Sequence, residues 1–146
     1  MSIRSVASSA SLWRGYEYYQ GGNVLSCVQT GADEYEGRVA GTAPEPYRVK
    51  INLAHVYQST CDCPHADGKR RVCKHMAALY FAALPAEAKQ YISDVEAYER
   101  EEELRRAEHY RGLQSYVNSL SKKELQEKLF QALVELEERG RRYFYF

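Results

Sequence analysis

The stretch Cys61-Asp-Cys63-Pro-His65-Ala-Asp-Gly-Lys-Arg-Arg-Val-Cys73-Lys-His75 holds three of the four cysteines of this 146-residue chain. Together with His75 they form two short pairs, Cys-x-Cys and Cys-x-His, which are separated by nine residues. Zinc prefers four thiolate or imidazole ligands in a tetrahedron, and a complete set leaves no open position for a catalytic water. The spacing therefore predicts one structural Zn²⁺ ion, held by Cys61, Cys63, Cys73 and His75.

The local structure on each side of the stretch explains how the two pairs could face one metal. Cys61 and Cys63 follow an extended segment, in which residues i and i+2 point to the same side. The apolar run 76–84 predicts a buried helix, so we place Cys73 in the turn before it and His75 in its first turn. The positive end of that helix favours a negatively charged thiolate cluster.

Two other residues could in principle supply a ligand. His65 has the same i+2 spacing from Cys63, but Pro64 bends the chain between them. Cys27 lies far from the stretch in a predicted strand, where it is interpreted as a small buried hydrophobic residue. The favoured histidine ligand is therefore His75.

The residues before the metal stretch predict one helix and a small sheet. Apolar residues at helical spacing predict a helix over 8–20, which Gly21-Gly22 ends. Period-two patterns predict strands at 24–30, 35–40, 47–53 and 56–60. Their short connections favour an antiparallel arrangement. The predicted fold class is α+β: a small antiparallel β-meander with an N-terminal helix and a buried helix, joined by the zinc site and followed by a helical C-terminal region.

The C-terminal residues predict helices of another kind. Residues 86–111 are rich in charge, with i, i+4 pairs typical of a solvated helix, and Gly112 is predicted to break or kink it. Ser121-Lys-Lys-Glu124 is a capping-box pattern that opens a last helix, predicted to end at Gly140. Its apolar stripe consists of Leu125, Leu129, Ala132, Leu133 and Leu136. The aromatic tail 141–146 is expected to pack on its own chain or on another one. We predict two domains, a zinc-binding domain at 1–85 and a helical extension at 86–146.

Composition limits what can be said about partners and location. The chain has 20 basic and 20 acidic residues, so its overall charge gives no argument for a nucleic-acid or membrane partner. No apolar run reaches the roughly 20 residues that a bilayer requires, and no signal-peptide pattern is visible. Four cysteines without an export signal indicate a reducing compartment. We expect a cytoplasmic location, or a nuclear one in a eukaryote.

The combination Cys-x-Cys-x9-Cys-x-His, after a strand and before an apolar helix, resembles the SWIM zinc finger. Each of the four ligand positions is matched, by Cys61, Cys63, Cys73 and His75. The segment 13–26 is similar to the helix and first strand that precede the motif in prokaryotic members, so the resemblance covers about residues 8–85. It implies a zinc-stabilised module for DNA binding or protein–protein interaction, and it does not imply an enzyme.

Two functions remain open. The favoured one is a non-catalytic adaptor, or a subunit of a larger complex, that contacts a protein partner through the C-terminal helices. The alternative is direct, largely non-specific nucleic-acid binding through Lys69, Arg70, Arg71, Lys74, Arg48 and Lys50. Between Cys61 and His75, four basic residues face two acidic ones, a small footprint for phosphate contacts. No nucleophile–base arrangement stands out, so neither an enzyme nor a small-molecule substrate is expected.

Overall fold

A computed structural model describes residues 2–142. The elements are α1 (Ile3–Val6), α2 (Ser9–Gln20), β1 (Val24–Gly31), β2 (Glu34–Val39), β3 (Tyr47–Asn52), a 3₁₀ turn (Val56–Gln58), β4 (Thr60–Cys61), α3 (Lys74–Ala83), α4 (Pro85–Ser119) and α5 (Lys122–Arg142). Their contacts divide the chain into an N-terminal unit ending at Val95 and a C-terminal unit beginning at Glu96. The domain boundary between residues 85 and 86 stays a prediction.

The four strands form one antiparallel sheet in the order β1-β2-β3-β4. β2 and β3 pair without interruption, from Glu34 opposite Asn52 to Val39 opposite Tyr47. β4 is short and pairs with β3 through Cys61 opposite Val49. Cys61 thus lies on the same buried face as Val49, which turns the first ligand towards the core. The predicted α+β class and the antiparallel meander are confirmed.

Helix α3 is the centre of the N-terminal unit. It packs against α2 and against the sheet, and all its residues from His75 to Phe81 are buried. Its contact with α2 is close at Gly15, where an added Cβ would lie 2.4 Å from Cβ of Ala77 and 2.9 Å from the carbonyl oxygen of Lys74. The absence of a side chain at Gly15 therefore lets α2 hold the helix that carries His75.

The first turns of α4 complete this unit. Ala88 and Tyr91 are buried, and the ring of Tyr91 lies 5.2 Å from that of Phe81, between centroids. The hydroxyl of Tyr80 donates a hydrogen bond to Glu87 at 3.0 Å. α1 is joined to the same helix, since Arg4 forms an ion pair with Asp94.

The C-terminal unit has a different character, because its helices are solvated. Between residues 96 and 140, every side chain is exposed except Glu102 and Leu120, which are half-buried. The predicted capping box is confirmed: the Ser121 N–H donates to the Glu124 carboxylate at 2.8 Å, and the Glu124 N–H donates to the Ser121 hydroxyl at 3.3 Å. In the described residues, no helix combines the length and apolar character needed to cross a membrane.

Several local predictions were wrong. Of the strand predicted at 56–60, only Thr60 pairs as a strand residue. The residues before it form a turn, because the Asn52 side chain accepts a hydrogen bond from the His55 N–H at 2.7 Å and the Ser59 hydroxyl accepts one from the Asn52 N–H at 3.0 Å. These bonds close a turn that contains the 3₁₀ segment, and only Thr60–Cys61 pairs as a strand.

The helices also extend further than predicted. α4 runs through Gly112 and α5 runs through Gly140, since an exposed glycine costs a helix only about 1 kcal/mol. α1 was not predicted; it is a four-residue helix capped by Ser2, with Ile3 fully buried. Of the aromatic tail, residues 143–146 lie outside the described residues.

Candidate metal centre

The first ligand pair is positioned by β4 and the turn that follows it. Asp62 lies between the two cysteines, and its carboxylate accepts a hydrogen bond from the Arg48 N–H at 2.9 Å. The Cys63 carbonyl oxygen accepts hydrogen bonds from the N–H groups of Ala66 and Asp67, at 3.0 and 2.9 Å. These bonds hold Asp62 at the surface while Cys61 and Cys63, on the other side of the extended backbone, are buried.

The second pair is positioned by the start of α3. Cys73 is the N-cap residue, with extended backbone angles, and His75 lies in the first turn of the helix. This is the predicted placement. The first N–H groups of α3 have no partner within the helix, and the positive end of the helix favours a thiolate at Cys73.

The four side chains converge on one point. Their donor atoms all lie within 4.8 Å of one another, and all four residues are buried. Nδ1 of His75 lies 3.7 Å from Sγ of Cys61 and 3.9 Å from Sγ of Cys73. Ligand atoms of a tetrahedral zinc with ordinary bond lengths are roughly 3.5–3.8 Å apart. The residues therefore fit one zinc ion, with Nδ1 as the histidine ligand atom.

Three thiolates buried side by side would need a cation between them. A hydrogen bond with Cys73, together with burial, raises the pKa of the Cys61 thiol, and burial raises the pKa of Cys63. The same hydrogen bond from Cys61 lowers the pKa of Cys73 to about 4. The cluster alone thus favours one thiolate and two thiols. A zinc ion supplies the charge that allows all three thiolates, with release of the thiol protons.

Aromatic rings surround the imidazole of His75. The Tyr47 ring lies 4.5 Å from it and the Tyr18 ring 5.5 Å, between centroids. Nε2 is buried, and within the described residues it has no hydrogen-bond partner. An added Cβ at Gly41 would lie 3.0 Å from Nε2 and 2.5 Å from the Tyr47 ring. Metal-bound imidazoles commonly donate their second N–H to a fixed acceptor. Here the imidazole is instead enclosed by the rings of Tyr18 and Tyr47 and by the backbone at Gly41.

Comparison with known proteins bears directly on this cluster. Residues 47–84 match the family model of the SWIM zinc finger. This segment is a SWIM zinc finger. The match covers β3, the metal stretch and α3, and it excludes α1, α2, β1, β2 and the helical extension. No curated protein matches the chain, and no solved structure does.

The two alternative ligands, His65 and Cys27, lie outside the cluster of Cys61, Cys63, Cys73 and His75. His65 is exposed and is not among the converging donors. It lines a cavity of about 300 Å³ beside the ligands, together with Arg14 and Lys74. Cys27 is half-buried on β1 and packs against the edge of the core, where burial raises the pKa of its thiol.

The six basic residues singled out for nucleic-acid binding do not all line the same groove. Arg48, Lys69 and Arg70 line one groove of about 450 Å³, shared with Asp62 and Asp67. Arg71 is exposed in the loop between Cys63 and Cys73, outside that groove.

Three of the six basic residues contact aromatic or acidic side chains. The Lys74 ammonium lies 4.5 Å from the centre of the Tyr18 ring. Lys50 pairs with Glu36 at 3.2 Å and Glu34 at 3.8 Å, and the hydrogen bond to Glu36 raises its pKa. Arg48 pairs with Asp62 at 3.4 Å. Neighbouring carboxylates thus offset the positive charges of Arg48 and Lys50 on β3.

Sequence reasoning missed the aromatic surroundings of His75. Tyr47 carried a signal only as one apolar position of an alternating strand, and Tyr18 as one residue of a tyrosine-rich helix. Gly41 was interpreted only as part of the turn after the second predicted strand. Their shared role depends on the sheet and α2 meeting at the imidazole, a contact between segments that no local pattern encodes.

Proposed function

We propose that the chain is a non-catalytic, zinc-stabilised interaction module, acting as a protein–protein adaptor or as a subunit of a larger complex. One observation carries the proposal. The apolar stripe of α5 is exposed, with accessible fractions of 62% for Leu129, 55% for Leu133 and 63% for Leu136. Soluble proteins rarely leave such a contiguous apolar face open unless it is an interaction surface.

The metal site supports a structural role. Three cysteines and one histidine complete a tetrahedral set, whereas catalytic zinc sites keep one position for water or substrate. The zinc finger in this proposal fixes the N-terminal unit, and the helical extension supplies the contact. The three thiolate ligands also fit the reducing compartment expected from the sequence, the cytoplasm or the nucleus.

Affinity capture with matched variants tests this proposal. Leu129→Glu places a charge in the stripe, and Val134→Glu places the same charge about 140° away around α5. Proteins that bind the wild-type chain and Val134→Glu, and are lost from Leu129→Glu, support the proposal. Identical protein sets on all three baits, measured by quantitative mass spectrometry, would contradict it.

The second candidate is nucleic-acid binding, and one observation favours it. Arg48, Lys69 and Arg70 line the same groove, which has the size to receive a phosphate group. Phosphate contacts lose affinity steeply with salt. A titration of random-sequence duplex DNA at two salt concentrations tests it, with Lys69→Ala/Arg70→Ala as the variant. Binding that falls with salt and with this variant supports the candidate; no binding at low salt excludes it.

A further inference from the structure

We propose that α5 pairs with α5 of a second copy of this chain, in antiparallel orientation. The inference rests on the proposed function and names the partner for the exposed stripe. It is carried by the geometry of one helix face and by the placement of two charges beside it.

The stripe has the spacing of a helix-pairing seam. Leu125, Leu129, Ala132 and Leu136 follow one another at intervals of four, three and four residues, which keeps them on one face over two heptads. Leu133 widens the face on one side. The three leucines at seam positions and Leu133 are all exposed in the described chain.

Nothing in the described residues covers this face. α4 and α5 do not pack side by side. The exposed fractions are 62% for Leu129, 55% for Leu133 and 63% for Leu136. The junction of the two helices is itself apolar: a groove of about 460 Å³ is lined by Val117, Leu120, Leu125 and Leu129 among others. The seam and this groove adjoin, so a helix laid on α5 would cover part of both.

Antiparallel pairing matches the apolar layers. With the two helices centred on each other, Leu125 lies opposite Leu136 of the second copy, and Leu129 opposite Ala132. Each contact occurs twice, because a two-fold interface uses the same patch on both copies. The result is four layers that each contain at least one leucine.

The flanking charges select the orientation. Lys128 and Glu135 flank the seam on the same side, each one residue before a seam leucine, so in this register Lys128 comes beside Glu135 of the second copy, again twice. Opposite charges at such flanking positions set partner orientation. In a parallel pair, Lys128 would flank Leu133 and Glu135 would flank Gly140, with no charge complement. Lys122 and Arg139, at the ends of the seam, meet a basic residue in either orientation and do not discriminate. The complementarity of Lys128 and Glu135 therefore favours the antiparallel pair.

Sedimentation of the full-length, zinc-loaded chain tests the apolar part. We expect a reversible dimer whose fraction rises with concentration. Leu129→Glu should weaken dimerisation roughly a hundredfold or more, since the charge enters two layers of the seam. Val134→Glu, the control outside the seam, should leave the dimer unchanged. Zinc content and circular dichroism of each variant show that the fold is retained.

Charge reversal tests the orientation. Lys128→Glu and Glu135→Lys should each weaken the dimer by about tenfold, because each places two like-charged pairs across the interface. The double variant restores opposite charges and should recover wild-type affinity. A dimer indifferent to both single reversals would overturn the antiparallel orientation.

The proposed function and this inference can fail separately. A chain that stays monomeric at all concentrations, yet loses other captured proteins on Leu129→Glu, overturns self-pairing and keeps the interaction module. If the dimer remains intact in Leu129→Glu, the seam is not the surface through which the two copies pair. A monomer whose captured proteins do not depend on Leu129 overturns both.

Discussion

The two units of this chain are ordered by different forces. The N-terminal unit has a buried core in which α3 contacts α2 and the sheet, and the metal ligands join β4 to that helix. The C-terminal helices rely on local terms: the Ser121–Glu124 capping box and ion pairs such as Arg105 with Glu102 at 2.8 Å. Local terms of this kind are worth a few tenths of a kcal/mol each. The N-terminal unit buries its apolar side chains in a core, whereas the C-terminal helices leave an apolar face exposed.

Removal of a metal ligand should produce the largest difference in stability between the two units. Cys73→Ser removes one thiolate, and we expect loss of zinc together with cooperative unfolding of the N-terminal unit. The apparent free energy at stake is on the order of 10 kcal/mol, by comparison with small zinc fingers. Metal analysis and thermal unfolding measure it. Cys27→Ser is the matched control, and a Cys73→Ser protein with wild-type zinc content would contradict the assignment.

Two glycine substitutions should act in opposite directions. Gly15→Ala forces a Cβ into Ala77 and the Lys74 carbonyl, and should destabilise the N-terminal unit by about 1–3 kcal/mol. Gly112→Ala meets open space in a solvated helix and should increase helix stability by about 0.5–1 kcal/mol. Chemical denaturation followed by circular dichroism compares them. Equal effects of the two changes would remove the distinction between a packed and a solvated helix.

The ring packing around His75 predicts an effect on metal affinity. Tyr47→Ala removes the ring that lies 4.5 Å from the imidazole and should weaken zinc binding by about tenfold, the lower end of the effects seen for residues that orient ligands. Tyr57→Ala, at an exposed tyrosine, is the control. Competition with a zinc chelator measures both variants, and unchanged affinity in Tyr47→Ala would show that the ring does not orient the ligand.

The smallest effect is expected at the surface ion pair of α1 and α4. The hydrogen bond from Arg4 holds the pKa of Asp94 below its ordinary value of 3.8. A lowered carboxyl pKa stabilises the fold at pH values above the ordinary one, and this stabilisation is lost as the pH falls through the lower, folded-state value. At neutral pH, Arg4→Gln should lower the melting temperature slightly, and high salt should reduce the difference. Arg14→Gln serves as the control; an equal loss there would show that the pair contributes nothing.

The metal ligands and the helix after them could be predicted from the sequence because both rest on short-range rules. An i+2 pair on an extended segment and an i+2 pair across a helix start are readable from spacing alone. The strands before them were readable from alternation, as at Tyr47, Val49 and Ile51.

What escaped prediction depends on contacts between distant segments or on competing local bonds. The side chains of Asn52 and Ser59 turn a strand-like segment into a 3₁₀ turn. α1 is too short to show a period, and its stability depends on burying Ile3. Gly112 looked like a helix end, yet nothing around it opposes the helix.

Metal content is the most direct test of the central claim that Cys61, Cys63, Cys73 and His75 hold one structural zinc ion. Elemental analysis of the folded, reduced chain should give about one zinc per chain, and X-ray absorption should show three sulfur ligands and one nitrogen ligand. A folded, reduced protein with a zinc ratio near zero, or with an oxygen in the coordination shell, would contradict the account.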